Sequence, residues 1–103
     1  MIRHMVALRF KPGTTAATKD RLYAALEGLG GHIDGILGFR SFGNVSVELP
    51  LVRGYHDLFW FDFRDISVRD AYLADPVHQA VGGQIVMETE GGAEGVFVFD
   101  VEV

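Results

Sequence analysis

The chain has 103 residues, 49% of them hydrophobic, with nine basic and fourteen acidic residues and a formal charge of −5 at pH 7. This length predicts a single domain spanning residues 1–103. Because the basic residues are scattered rather than clustered, we expect neither nucleic acid nor a membrane surface as a partner. The absence of cysteine excludes disulfides, thiolate catalysis and thiolate metal sites.

The first two predicted elements are a strand and a helix. Hydrophobic side chains alternate along residues 2–10, which predicts a β-strand whose strongly apolar face includes His4 and Val6. A turn at 11–13 ends this strand, and Thr14 or Thr15 is placed to cap the helix that follows. The apolar side chains at helical spacing in that helix are Leu22, Leu26, Leu29 and Ile33.

Two further strands are predicted in the middle of the chain. Residues 35–47 mix apolar residues with glycine and asparagine, which indicates a strand with a bulge. Residues 55–63 are the strongest strand signal, with phenylalanines on one face and Leu58 and Trp60 on the other. A strand that is apolar on both faces is usually covered on both.

The last part of the chain predicts a broken helix and a final strand. A short helix over residues 66–74 has Ser67 as its expected cap, and Asp75-Pro76 starts a second helix that runs to about Thr89. Residues 96–103 form the final strand. The order β-α-β-β-α-β, with its second helix broken, is typical of the ferredoxin-like α+β fold. Its helices leave one sheet face bare, so we expect a homodimer through that face, in which two sheets close into a dimeric α/β barrel.

Three polar-tipped side chains are expected between the helices and the sheet: His4, Tyr72 and His78. In one interpretation they satisfy one another or a buried water and are structural. In the other they border a cavity, where His78 accepts a proton next to a carbonyl group and Tyr72 orients or protonates the oxygen. Position in the first turn of a helix favours a neutral His78, competent as a base. The residues by themselves leave both interpretations open.

The expected pocket takes a small molecule and no cofactor. Histidines and carboxylates are numerous, but no pair has metal-ligand spacing on one helix or strand, so no metal site is expected. An RNA-recognition module shares the topology, yet Asp57 falls where that module needs a stacking aromatic residue. The side chains expected to bind the ligand are His4, Val6, Leu26, Trp60 and Val81.

Several short motifs together resemble the stress-responsive α/β-barrel (Dabb) family over essentially the whole chain. The resemblance implies a dimeric ferredoxin-like barrel and, by analogy with a plant branch of polyketide cyclases, aldol chemistry without metal or cofactor. It places the acid–base pair on His78 and Tyr72, with His4 lining the pocket. Asp75 departs from the histidine that members often carry before the proline. The motifs are Ile2-Arg3-His4, Phe10-Lys11-Pro12-Gly13, Gly43-Asn44-Val45, Gly54-Tyr55, and Ala71-Tyr72 followed by Pro76 and His78.

Three functions therefore follow as hypotheses. The first is a cofactor-free cyclase or lyase acting on a small carbonyl compound. The second is a non-enzymatic binding or stress-response dimer. The third is a cofactor-independent monooxygenase with an aromatic pocket around Trp60, although Trp60 is most simply a core or dimer-interface residue. The charged, alternating N-terminal segment is unlike a signal peptide and no apolar run is long enough for a membrane span, so we expect a cytoplasmic protein.

Overall fold

A computed structural model describes all residues, 1–103. The strands are β1 (Ile2–Leu8), β2 (Ile36–Gly43), β3 (Asp57–Phe63) and β4 (Val96–Glu102), and the helices are α1 (Ala16–Glu27), α2 (Leu49–Val52), α3 (Ile66–Ala74) and α4 (Pro76–Glu88). The strands form one antiparallel sheet in the order β2-β3-β1-β4. The predicted ferredoxin-like α+β fold is confirmed, with α2 as a short addition between β2 and β3.

The predicted cap of α1 and the predicted bulge of β2 are both present. Thr15 accepts a hydrogen bond from the backbone N–H of Thr18 at 3.1 Å, which satisfies one of the free donors at the start of α1. The pairing of β2 with β3 shifts register between Ile36 and Gly38. Strand β2 ends at Gly43, four residues before the predicted end.

The break between α3 and α4 follows from two aspartate caps. Asp65, rather than the predicted Ser67, caps α3, because its carboxylate accepts the N–H of Val68 at 3.1 Å while the Ser67 hydroxyl donates to the same carboxylate. Asp75 has extended backbone and caps α4, accepting the N–H groups of residues 77 and 78 at 2.9 and 3.0 Å. With Pro76 in the first turn, this cap holds His78 at the start of α4.

The core lies between the helices and one face of the sheet. That face presents Phe59, Phe61 and Phe63 of β3, which are 3%, 0% and 0% exposed. The helices cover it with apolar side chains from α1, α3 and α4. The buried residues of the core are Ile2, Val6, Leu8, Leu22, Leu26, Leu29, Ile33, Phe59, Phe61, Phe63, Val68, Tyr72, Val81 and Ile85.

Helices α1, α3 and α4 leave the other face of the sheet uncovered, and the short α2 borders only one end of it, where Leu51 and Val52 lie beside Phe97. Phe42 on β2 and Phe97 and Phe99 on β4 are 39%, 56% and 45% exposed on the uncovered face. Trp60 of β3 lies on the same face, with its ring centroid 4.9 Å from that of Phe42. Large exposed apolar areas of this kind are uncommon on monomeric proteins.

Candidate active site

A cavity of about 360 Å³ lies between the sheet and the helices, within the size range usual for small-molecule sites. It reaches the surface between the end of α3 and the edge strand β4, where Leu73 and Val98 are about half exposed. Its wall is mainly aliphatic, and four polar-tipped side chains interrupt it. The lining residues are His4, Val6, Leu26, Phe59, Tyr72, Leu73, His78, Gln79, Gly82, Ile85, Val86, Val96 and Val98.

Five of the predicted site residues meet in this cavity, and two do not. His4, Val6, Leu26, Tyr72 and His78 all line it. Val81 is buried in the core on α4, 8% exposed, without lining the cavity.

The expectation that Trp60 lines the cavity is wrong. Its side chain lies on the uncovered sheet face, under the guanidinium of Arg3 at 4.7 Å. The reason is strand parity: Phe59 and Phe61 point to the helices, so the residue between them must point away.

The rings of Tyr72 and His78 are stacked, with centroids 3.7 Å apart and planes inclined by 30°. The ring of His4 meets Tyr72 edge-on, with centroids 5.4 Å apart. Tyr72 is therefore the middle member of a three-ring cluster and is only 1% exposed. The cluster packs against core side chains on one side and lines the cavity on the other.

His78 is held in its neutral form. Burial lowers the pKa of its imidazole, and a positive charge on His4 lowers it further, while the Tyr72 carbonyl and the Asp75 carboxylate act in the opposite direction without reversing the shift. Its Nδ1 atom is buried without a hydrogen-bond partner. A β-carbon placed on Gly82 would stand 4.0 Å from Nε2. The glycine therefore leaves room for a ligand beside that atom.

Tyr72 remains a hydrogen-bond donor. Burial raises the pKa of its phenol well above the ordinary value of 10.0, so the hydroxyl keeps its proton at any physiological pH. The hydroxyl of Tyr23 is fully buried and has no hydrogen-bond partner. The hydroxyl of Tyr72 also has no hydrogen bond within the chain, but it is not fully buried. Tyr72 is one of the residues that line the cavity.

His4 has a carboxylate partner that the sequence interpretation missed. Its Nδ1 lies 2.7 Å from Oδ1 of Asp100, and Oδ2 of Asp100 accepts a hydrogen bond from Nη1 of Arg69 at 2.8 Å. Burial acts to raise the pKa of the Asp100 carboxyl, but hydrogen bonds from Arg69 and His4 outweigh it, so the net pKa is lowered. Asp100 is thus ionised behind His4. The signal in the sequence is a lone aspartate among the hydrophobic residues of β4.

Asp75 lies outside the cavity. One carboxylate oxygen caps α4, and the other lies 2.8 Å from Nε2 of His32. The hydrogen bond to the backbone N–H of His78 is the main cause that lowers the pKa of the Asp75 carboxyl. The residue that departs from the family pattern therefore acts on His78 through the backbone.

The side chains offer no cluster of three or more His, Asp or Glu residues arranged to hold a metal ion. None of the helices is both long enough and apolar enough to cross a membrane.

Comparison with known proteins places the chain in a family. The model of the stress responsive A/B barrel domain, Dabb, matches residues 2–103. The chain belongs to the Dabb family. A dimeric ferredoxin-like protein of unknown function from Jannaschia sp. CCS1 is 32% identical to it, with a TM-score of 0.84 over 99% of this chain and 98% of the other. No curated protein sequence matches the chain significantly.

Two plant structures share the fold at lower identity. An Arabidopsis thaliana protein is 22% identical, with a TM-score of 0.88 over 100% of this chain and 95% of the other. A hydroxynitrile lyase from Passiflora edulis is 13% identical, with a TM-score of 0.82 over 99% of this chain and 92% of the other. At these identities the likeness concerns the Dabb fold alone.

Proposed function

We propose that this Dabb domain binds a small, largely apolar carbonyl compound between its sheet and helices and moves protons on it without a cofactor, in the manner of a cyclase or lyase. The observation that carries the proposal is the convergence of His4, Tyr72 and His78 in one mainly aliphatic cavity. In an apolar pocket, the few polar atoms that are free to form hydrogen bonds fix the orientation of a polar ligand group.

The proposed chemistry assigns His78 as base and Tyr72 as orienting acid. Neutral His78 takes a proton at Nε2 from the carbon next to the ligand carbonyl, and the electron pair of that C–H bond moves onto the carbonyl oxygen. The phenol of Tyr72 donates a hydrogen bond to the resulting enolate oxygen. The enolate carbon then takes the proton back from His78, or it attacks a second carbonyl carbon of the same ligand. In the second case the new C–C bond closes a ring, and the resulting alkoxide takes the proton from His78.

The environments of the two groups support these roles. The lowered pKa of His78 keeps its lone pair free at neutral pH, and the raised pKa of Tyr72 keeps its proton available for donation. Environments that push two neighbouring pKa values apart commonly separate the base from the acid. The hydroxynitrile lyase from Passiflora edulis supports the view that this fold accommodates lyase chemistry.

The proposal includes a homodimer through the uncovered sheet face. The aromatic residues exposed on that face, including Phe97 and Phe99, support it, as does the dimeric state of the Jannaschia relative. Burial of aromatic surface is the main favourable contribution to such an association. A non-enzymatic dimer uses the same face, so only chemistry in the cavity separates the two functions.

The test is deuterium exchange into acetophenone, which combines an apolar ring with one carbonyl and exchangeable methyl protons. In D₂O we expect the wild-type protein to deuterate the methyl group, as followed by proton NMR, and His78→Asn to be slower by about 10²–10⁴-fold. His56→Asn, which alters an exposed histidine outside the cavity, is the matched control and should behave as wild type.

A negative result has a clear meaning in this experiment. If wild-type protein exchanges no faster than buffer, and acetophenone leaves the NMR signals of His78 and Tyr72 unmoved, the proposed chemistry is wrong. The non-enzymatic dimer then becomes the better-supported function.

A further inference from the structure

We propose that a second cavity, on the sheet face that α1, α3 and α4 leave uncovered, binds a small carboxylic acid with an apolar body, and that Arg53 holds its carboxylate. This binding site goes beyond the proposed function and does not depend on chemistry at His78. The cavity has a volume of about 330 Å³, within the range usual for small-molecule sites. The residues that line this outer cavity are Ala7, Leu51, Val52, Arg53, Tyr55 and Phe97.

The outer cavity and the cavity of His78 lie on opposite sides of the sheet. Val6 and Leu8 of β1 are buried in the core, so Ala7 between them must point to the uncovered face. Phe97 pairs with Ala7 across β1 and β4 and shares that face. The sheet therefore forms the floor of the outer cavity, and Leu51 of α2 belongs to its side wall.

Arg53 supplies the only free polar side-chain group of the outer cavity. The hydroxyl of Tyr55 is already engaged, because it donates a hydrogen bond to the backbone carbonyl of Glu94 at 2.7 Å. No acidic residue lines this cavity, and Arg53 takes part in no ion pair. One cation without a carboxylate partner in an otherwise apolar wall is complementary to a ligand with one anionic group on an apolar body.

The backbone of Arg53 is in a conformation that an arginine rarely adopts. Its φ and ψ angles are 57° and 31°, and it is the only residue other than glycine with a positive φ. Arg53 ends α2, where glycine or asparagine would fit the left-handed region with less strain. The end of the helix therefore does not account for an arginine at this position. Backbone strain of this kind is concentrated at ligand-binding sites, and the charge beside the outer cavity supplies the reason here.

Arg9 adds a second positive charge at this end of the sheet. Its guanidinium carbon lies 5.4 Å from the ring centroid of Tyr55, and its Nε is buried without a hydrogen-bond partner. A β-carbon on Gly54 would stand 2.8 Å from Cδ of Arg9, so the glycine next to Arg53 makes this close packing possible. The positive charge of Arg9 behind Tyr55 makes the potential at the cavity more favourable for an anion.

The test compares 3-phenylpropanoate with 3-phenylpropan-1-ol, which differ only in the carboxylate. By NMR titration we expect the wild type to bind the acid about tenfold more tightly than the alcohol. Arg53→Asn should remove this preference. Because asparagine tolerates the left-handed backbone, the urea midpoint of this variant should not fall. Arg40→Gln is the matched control and should keep the preference, since Arg40 is exposed on the same face, opposite Trp60, and does not line the outer cavity.

The location of the bound acid is tested separately. We expect 3-phenylpropanoate to shift the NMR signals of Tyr55 and Phe97. Ala7→Leu adds volume to the cavity floor, so it should weaken binding of the acid and leave the titration with acetophenone unchanged. If the acid shifts the signals of His78 but not those of Tyr55 and Phe97, or if Arg53→Asn keeps the tenfold preference, the inference is wrong. Absence of proton exchange on acetophenone contradicts only the proposed function.

A second copy of the chain is the competing occupant, because the proposed dimer uses the same face. The Phe99→Glu variant, which is expected to be monomeric, distinguishes the two, since Phe99 does not line the outer cavity. We expect the wild-type dimer to bind 3-phenylpropanoate. If only the monomeric variant binds it, a second copy fills the outer cavity in the dimer and the inference is wrong. Absence of binding in both proteins also contradicts it.

Discussion

The imidazole of His78 lies against the phenol ring of Tyr72, with ring centroids 3.7 Å apart. Tyr72 also contacts Phe61 and Phe63, each at a centroid distance of 5.0 Å. The ring of Tyr72 therefore serves packing, while its hydroxyl has no hydrogen bond within the chain. Core packing and the proposed ligand contact involve different atoms of one side chain, and variants can address them separately.

Tyr72→Phe should leave the fold intact and weaken ligand binding. The stacked ring is retained, so we expect the free energy of unfolding to change by less than about 0.5 kcal/mol. Loss of the donor to the ligand carbonyl should reduce the affinity for acetophenone by about tenfold. Urea denaturation and an NMR titration measure the two effects. Tyr72→Ala is the contrast, with an expected loss of about 3–5 kcal/mol of stability. A Tyr72→Phe variant with unchanged affinity contradicts donation from the hydroxyl.

Protonation of His78 should destabilise the protein at acidic pH. Its pKa in the folded state lies below the ordinary value of 6.5, so the unfolded chain binds the extra proton first. The contribution is fully present above about pH 6.5 and is lost as the pH falls toward the folded-state pKa. Urea unfolding from about pH 8 to pH 5 should therefore show a steeper loss for the wild type than for His78→Gln. Parallel curves for the two proteins would show that His78 does not have a lowered pKa.

Gly82 should set the bulk of ligand that is accepted beside His78. A β-carbon at residue 82 would stand 4.0 Å from Nε2 of His78, whereas one at Gly83 would meet nothing within 4 Å. Both Gly82→Ala and Gly83→Ala should gain about 0.5–1 kcal/mol of helix stability. Only Gly82→Ala should bind acetophenone more weakly while it still admits acetone, as measured by NMR titration. Identical affinities in the two variants would place the ligand away from Nε2.

The uncovered sheet face should carry the dimer contact. Phe99→Glu puts a charge on this face, and we expect it to sediment as a monomer at micromolar concentration, where the wild type sediments as a dimer. Met87→Glu is the matched control, because Met87 is an exposed apolar residue on α4, 71% exposed and away from the sheet face. Dissociation of both variants, or of neither, contradicts assembly through the face that bears Phe99.

Much of the fold can be predicted from local patterns. The alternation along β1 correctly places His4 and Val6 toward the core, because only one face of that strand is apolar throughout. The Asp75-Pro76 pair predicts where α4 begins, because a cap depends on residues within one helical turn. The position of His78 in the first turn of α4 follows from that cap. These are interactions between residues close together in the chain.

The error at Trp60 has a different origin. Both faces of β3 are apolar, so alternation alone cannot tell which one the helices cover. Only the packing of the strand against α1, α3 and α4 decides that Phe59, Phe61 and Phe63 point inward. Trp60 is left on the uncovered face for that reason.

The sequence by itself determined the order of the four strands and of α1, α3 and α4, the caps of α1 and α4, and the inward direction of His4, Tyr72 and His78. Only the tertiary structure decided that these three rings share one cavity and that Asp100 stands behind His4. The two paired residues are 96 positions apart, and they meet because β4 pairs with β1 in one particular register. That register results from the packing of the whole sheet against its helices, and no local pattern encodes it.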